Sequence, residues 1–302
     1  MKIFKNFNIG KKFQNSALAI GNFDGVHLGH KRVFLTARNI AKKNKIYFGA
    51  LTFEPLPVMF FNNSIKNHRV NNLSQKIRLL KKQKFDFLII KKFDRKFSRV
   101  NYLDFINKII HQKLKCKFLF VSENFKFGNK RKGNITKLKF HQSKYNFRTV
   151  LTKPVTKNKK VISSTIIRRL INQGKVNETR KLLGRPWEIQ GTVIKGNQRG
   201  RKIGFPTCNI NLKDYIIPRL GVYSVIAKSS SFRKKGIANI GYRPTFNGQN
   251  LLLEVNIFGF NKNLYNKVIK VDFLKFIRAE KKFKNLEHLR KQIKLDIKQA
   301  RK

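Results

Sequence analysis

Two of the six histidines, His27 and His30, stand three residues apart in Gly21-Asn22-Phe23-Asp24-Gly25-Val26-His27-Leu28-Gly29-His30. At a helix start that spacing sets both rings on one face, beside exposed backbone N–H groups and the positive end of the helix dipole, a setting suited to phosphates. Gly21, Gly25 and Gly29 would let the backbone approach such a ligand closely. Further on, Ser163, Ser164 and Thr165 precede a helical pattern, with Arg168 one turn in. Hydroxyls there cap a helix and donate hydrogen bonds, and a guanidinium adds a fork of donors. A basic stretch with Gly196, Gly200 and Gly204 runs into Phe205-Pro206-Thr207-Cys208-Asn209; it reads as a cationic flap able to fold over phosphates.

Carboxylates are scarce in the chain, 14 Asp and Glu against 69 Lys and Arg. An acid that persists inside an apolar run is therefore informative. Glu254 does so in Leu251-Leu252-Leu253-Glu254-Val255, where it must point outward, find a partner or work in a site. In a chain this poor in acids, work in a site is the favoured reading.

The elements that must hold these groups follow from periodicity. The first half alternates apolar runs (residues 16–20, 46–53, 85–90 and 117–121) with helical patterns (31–43, 74–84 and 101–114). That alternation predicts a Rossmann-like α/β unit with a parallel sheet. It sets the histidine segment between the first strand and the first helix, where such sheets bind ligands. Helical patterns over 163–173 and 176–183 end at Gly184, with Pro186 as a stop signal. Beyond lie short strands, 187–195, 221–227, 236–240, 251–258 and 268–276, split by Gly, Pro and Asn. They predict a small antiparallel barrel or sandwich, followed by a helix over 285–298. The expected domains are 1–184 and 185–302.

The formal net charge of +55 would by itself point to nucleic acid or an anionic surface. Two features favour compositional drift: Lys, Asn, Ile and Phe can be encoded by A and T alone, and the charge is spread along the chain instead of standing in one block. Nonspecific attraction of polyanions remains expected. Cys116 and Cys208 are far apart and lack partners at metal-site spacing, so neither a disulfide framework nor a zinc site is expected. The N-terminus is basic but lacks the apolar stretch of a signal peptide, and no apolar run approaches the roughly 20 residues of a membrane span. The expected location is the cytoplasm, with no membrane association and no obligate protein partner.

The histidine segment resembles the H-x-G-H pattern of nucleotidylyltransferases, and the whole string resembles their FAD synthetase branch. Ile162-Ser163-Ser164-Thr165-Ile166-Ile167-Arg168 is similar to that branch's I-S-S-T-x-x-R, and Val121-Ser122-Glu123-Asn124-Phe125-Lys126-Phe127-Gly128 to its loop after a central strand. Thr52-Phe53-Glu54-Pro55-Leu56-Pro57 also resembles the family, which usually has His where Leu56 stands. In the second half, Gly191 to Asn209 resembles the riboflavin kinase loop with its Pro-Thr-Ala-Asn motif, Cys208 replacing Ala. Gly221-Val222-Tyr223, the stretch Asn239 to Phe246, and Phe276-Ile277-Arg278-Ala279-Glu280 match as well. The chain is thus identified as similar to the bacterial bifunctional riboflavin kinase/FMN adenylyltransferases (FAD synthetases).

That resemblance implies phosphorylation of riboflavin to FMN by ATP, then adenylyl transfer from ATP to FMN giving FAD and pyrophosphate, both with Mg²⁺. It makes His27, His30 and Arg168 catalytic in the second reaction, with Gly21, Phe23, Asp24, Gly29, Asn124, Ser163, Ser164 and Thr165 binding the nucleotide. In the kinase, Gly204, Thr207 and Asn209 would bind ATP, Thr207 and Asn209 also ligating Mg²⁺, and Glu254 would be the general base. Arg278 would lie near bound flavin or nucleotide, or simply pair with Glu280. The alternatives are a relative with one surviving activity and an RNA-binding protein on a nucleotidyltransferase scaffold.

Overall fold

The computed structural model describes residues 1–62, 64–157, 160–196, 199–245 and 248–302. Asn197, Gln198 and Phe246 of the matching stretches lie outside them. By packing, the chain forms two units: Met1–Ile65 with Leu73–Ser163, and Lys66–Asn72 with Ser164–Lys302.

The first unit is a six-stranded sheet of β1 (Lys2–Phe4), β2 (Ala17–Ile20), β3 (Phe48–Glu54), β4 (Phe87–Lys92), β5 (Phe118–Val121) and β6 (Arg148–Leu151), in the order β1-β4-β3-β2-β5-β6. Every neighbouring pair is parallel. Strands buried on both faces read as continuous apolar runs, which is why the four central ones were legible. Ala17 and Ala19 turn to one core with Phe34 and Ala37, and Leu18 and Ile20 to the other with Ile106 and Ile110. The edge strands β1 and β6 escaped the sequence pattern, because each is short and only partly buried. The first helix, α1, spans Leu28–Lys43, starting three residues before its apolar periodicity. Residues 101–114 resolve into a turn of α-helix, Tyr102–Asp104, and a π-helical Phe105–Leu114.

The strand order locates the site. From β2 the chain builds β3 and β4 on one side and β5 and β6 on the other, so the winding reverses between β2 and β5. In open α/β sheets, ligands bind outside the carboxyl ends of the strands at such a point.

The second unit is a closed barrel, not a sandwich. Its strands are β9 (Trp187–Ile194), β10 (Cys208–Asn211), β11 (Gly221–Lys228), β12 (Arg233–Thr245), β13 (Gly248–Ile257) and β14 (Val268–Arg278), ordered β10-β13-β12-β11-β14-β9, after a small hairpin β7 (Thr156–Lys157) and β8 (Lys160–Val161) in the first unit. All barrel pairs are antiparallel. The helices Ser164–Asn172 and Val176–Leu183 contribute Ile167, Ile171, Val176 and Leu183 to the barrel core. By packing, therefore, the division falls at Ser163, ahead of the change of pattern at 184/185. Gly184 ends the second helix in the left-handed conformation, φ 68°, which glycine adopts at low cost.

Lys66–Asn72 joins this unit although it comes from the first half of the chain. Val70 is buried in the barrel core, its carbonyl accepts from Trp187 Nε1 at 3.0 Å, and the Arg69 carbonyl accepts from the Ile216 N–H at 2.8 Å. A C-terminal helix, Leu286–Arg301, lies on the outer barrel face, where Ala300 and Ile297 meet Val222 and Ile237.

Candidate active sites

In the first unit, β2 delivers the chain to Gly21 and a loop of unusual backbone. Phe23, Gly25 and Val26 have φ of 47°, 83° and 40°. For Phe and Val that conformation costs on the order of 1–3 kcal/mol each, a strain that clusters at ligand sites. The loop is braced by the Thr52 hydroxyl, which donates to the Asn22 carbonyl at 3.0 Å, and by the buried Phe23 ring, edge-on to Phe34 and His30. A Cβ at Gly21 would sit 2.8 Å from that ring, so the position demands glycine.

His27 caps α1. Its Nδ1 accepts from the His30 N–H at 3.3 Å, which fixes the neutral tautomer with its proton on Nε2. The two imidazoles stack with centroids 3.6 Å apart and planes 20° from parallel. A Cβ at Gly29 would come within 3.1 Å of the His27 ring and 3.2 Å of the Ile162 carbonyl oxygen, so Gly29 lets the start of α1 pack closely against the chain leading to Ser163. Asp24 is buried beneath the loop. Asn124 is exposed in the loop after β5, the strand beside β2; the structure thus brings the Asn124 and histidine loops to the same strand ends. Stacked imidazoles, first-turn N–H groups and a glycine-lined backbone at a winding reversal make an arrangement chemically suited to phosphoryl groups.

The turn around Leu56 is structural. Leu56 is buried and Glu54 pairs with Lys76 at 3.2 Å. Ser163 is half-buried at the end of the first unit; Ser164, Thr165 and Arg168 belong to a helix of the second. Arg168 Nε donates to the His68 carbonyl at 2.8 Å, a contact within the second unit that the sequence did not signal.

The barrel builds the other site from strand register. Glu254 on β13 stands opposite Asn209 on β10 and, on its other side, opposite Asn239 on β12. Leu253 and Val255 fill the interior, so Glu254 faces outward, flanked by two amides with directly opposed Cβ atoms about 5 Å apart. Asn209 Oδ1 is buried and takes no hydrogen bond among the described residues. A side chain at Gly196 would overlap the Asn209 amide, and one at Gly200 would meet the Phe205 carbonyl, so the flap glycines hold the loop against the motif. Gly204 supplies a left-handed turn, φ 88°. Thr207 is exposed beside it. Asn256 Nδ2 donates to the Pro206 carbonyl at 2.7 Å, anchoring the motif. Cys208 Sγ turns to the Val255 carbonyl at 3.5 Å, and burial pushes its thiol up to about 12, so it stays protonated at neutral pH.

The donor types here suit Mg²⁺. The orphaned Asn209 oxygen and the Thr207 hydroxyl are hard donors, and Mg²⁺ bound with a nucleotide takes few protein ligands beyond phosphate and water. Arg278 is held by Asp296 rather than by Glu280: its Nε donates to both Asp296 oxygens at 2.9 Å and its Nη2 to Oδ2 at 2.6 Å. Glu280 accepts from Asn239 Nδ2 at 3.3 Å. The sequence did not signal Asn239 as a neighbour of Glu254 or Asp296 as the partner of Arg278, since strand register and helix docking bring them together.

Comparison with known proteins identifies both parts of the chain. A family model described as FAD synthetase matches residues 10–166 and one described as riboflavin kinase matches 183–302. Proteins named bifunctional riboflavin kinase/FMN adenylyltransferase are similar along the whole chain. That of Buchnera aphidicola subsp. Schizaphis graminum is 42% identical, covering 98% of this chain and 97% of its own. The Haemophilus influenzae protein is 39% identical over 97% and 96%, and the Escherichia coli K12 protein 34% over 95% and 92%. A solved structure described as a macrolide-efflux protein from Streptococcus pneumoniae is 30% identical, with TM-score 0.88 and coverage of 99% and 98%. That description belongs to that protein; among the described residues here no helix is long and apolar enough to cross a membrane. None of these descriptions concerns RNA.

Proposed function

Because the chain belongs to the bacterial bifunctional riboflavin kinase/FMN adenylyltransferase family, we propose that it makes flavin coenzymes in two ATP-dependent steps, riboflavin to FMN and FMN to FAD. The observation that carries the reading is the tandem match of the two family models on successive parts of one chain. We assign adenylyl transfer to residues 1–184 and the kinase to 185–302, acting on dissolved substrates in the cytoplasm.

In the kinase step, Glu254 accepts the proton of the riboflavin 5′-hydroxyl as that oxygen attacks the γ-phosphorus of ATP, and the bond from the γ-phosphorus to the β-phosphate oxygen breaks to release ADP. Thr207 and Asn209 orient the phosphates and would hold Mg²⁺, and Gly204 gives the flap the turn it needs to cover them. Bound there, Mg²⁺ neutralises charge on the phosphate oxygens. The outward row of Asn209, Glu254 and Asn239 supports this assignment, since it sets a carboxylate beside an orphaned amide oxygen. In the second step the nucleophile is the FMN phosphate, already ionised, so no general base is needed. His27 and His30 stabilise charge at the reacting phosphates. Gly21, Phe23, Asp24, Gly29 and Asn124 shape the nucleotide site, and Ser163, Ser164, Thr165 and Arg168 hold the leaving pyrophosphate. Arg278 serves the flavin end of the kinase site.

The test is product analysis over time after mixing purified protein with riboflavin, ATP and Mg²⁺. FMN is expected first and FAD after it. A chain that makes no FMN from riboflavin, or no FAD from supplied FMN, would sink one half of the reading.

A further inference from the structure

We propose that Glu280, just past the end of β14, is a positioning residue for the kinase step, acting on Glu254 through Asn239; the proposal rests on the functional reading above. Asn239 links the two. Its Nδ2 donates to Glu280 Oε1 at 3.3 Å, and by register it stands directly opposite Glu254. Ala238, Ile240, Leu253 and Val255 fill the barrel core. Asn239 and Glu254 therefore share the outer face with Cβ atoms about 5 Å apart, near enough for amide and carboxylate to interact. The backbone is shaped to let Glu280 reach. β11 separates β14 from β12, and on it Gly221 stands opposite Ile240, one place along from Asn239. A side chain at Gly221 would run into the Arg278 carbonyl and lie 2.9 Å from Ala279 Cα. Glycine at that position, with φ 137°, lets the chain leaving β14 lie close over β11, and Glu280 spans the strand to β12. The crossing is pinned by Arg278, whose Nη1 donates to the Ala279 carbonyl at 3.0 Å.

What this tie decides is the orientation of an amide. An amide can offer a neighbour its oxygen or its nitrogen, and a flip exchanges the two. An ionised carboxylate only accepts, so Glu280 holds the nitrogen and fixes which edge of Asn239 lies beside the base. The other flank of Glu254 is settled by packing. Asn209 turns its nitrogen to Gly196, where a Cβ would overlap it, and keeps free the oxygen that would face Mg²⁺. Glu254 thus stands between two amides of fixed orientation. A general base must be held within hydrogen-bond reach of the proton it takes, and a neighbour free to flip would turn over the hydrogen bonding that holds it.

The experiment measures kinase kcat, and KM for riboflavin and for ATP, in full-length wild type, Glu280→Gln, Asn239→Ala and the double variant. FMN adenylylation and the melting temperature are read on the same samples. Glu280→Gln keeps the size of the side chain but can donate as well as accept, which releases the flip. Its kcat should fall about ten-fold, the scale of one hydrogen bond to a charged group, with both KM values changed much less and adenylyl transfer unchanged. Asn239→Ala should lose at least as much. Adding Glu280→Gln to it should change kcat by less than about two-fold, because the residue through which Glu280 acts is gone. Glu280→Ala, at an exposed position, gives the same comparison should Glu280→Gln not fold. Wild-type kcat in the folded Glu280 variant overturns the proposal. An undiminished further loss in the double variant overturns it too and leaves a tie between chain end and barrel. A wild-type chain without kinase activity would instead sink the functional reading itself.

Discussion

At the scale of single residues, the two reactions separate by the groups they need. His27 and His30 stack at the start of α1, far in sequence from the barrel motif. His27→Ala or His30→Ala should lower FAD formation from FMN by about 100-fold, the usual effect of deleting one group that stabilises transition-state charge. Riboflavin phosphorylation should persist, so FMN accumulates. Chromatography of the flavins over time decides it, and equal loss of both products in a folded variant would count against separate sites. Glu254→Gln keeps the size of the side chain and removes its proton acceptor. FMN formation should fall by roughly 100- to 10,000-fold, while FAD synthesis from supplied FMN continues. Near-normal kinase activity in that variant would show that another group takes the proton.

Among the elements, the β9, β11 and β14 pairings carry an electrostatic cluster that the chemistry does not use. Lys228 Nζ lies 3.0 Å from Glu188 and 2.6 Å from Asp272, whose residues face each other across β9 and β14. Burial, opposed by Lys228 and aided by Glu188, raises the Asp272 pKa. An acid whose pKa is raised by folding holds its proton more tightly folded than unfolded. Its contribution to stability is thus largest in acid and declines as pH rises from its ordinary value of 3.8 through the raised one. Asp272→Asn mimics the protonated form and leaves Lys228 its bond to Glu188. The melting temperature of this variant relative to wild type should be higher at pH 7 than at pH 4. A relative gain at pH 4 instead would mean that the Lys228 pair outweighs burial.

For the whole molecule, the charge of +55 acts through its field. Such a surface raises the encounter rate with anionic substrates and loses that advantage as salt screens it. We expect kcat/KM for ATP to fall several-fold between about 20 and 200 mM salt, with generic RNA inhibiting at the low end only. Flat salt dependence, or RNA inhibition that persists at the high end, would contradict a purely nonspecific role for the charge. The same composition made the remaining acids readable: Glu254 stood out in the sequence, whereas Asp296 was passed over because its partner Arg278 is brought to it by folding.

What the sequence determined by itself was local. Runs buried on both faces announced the central strands of the sheet, glycines and the spacing of His27 and His30 announced a tight loop and a helix start, and the spacing of short strands announced the second unit. Each of these is written into neighbouring residues, because helix and strand periods repeat within a few positions. The tertiary structure alone decided that β10 exists as a strand and pairs Asn209 with Glu254, that Lys66–Asn72 packs with the barrel, and that a bulge delivers Arg278 to Asp296. The reason is physical: a register is chosen by the closure of the whole barrel and the burial of its core, and a one-residue slip that would turn Glu254 inward changes no local pattern but loses the fit of every strand at once.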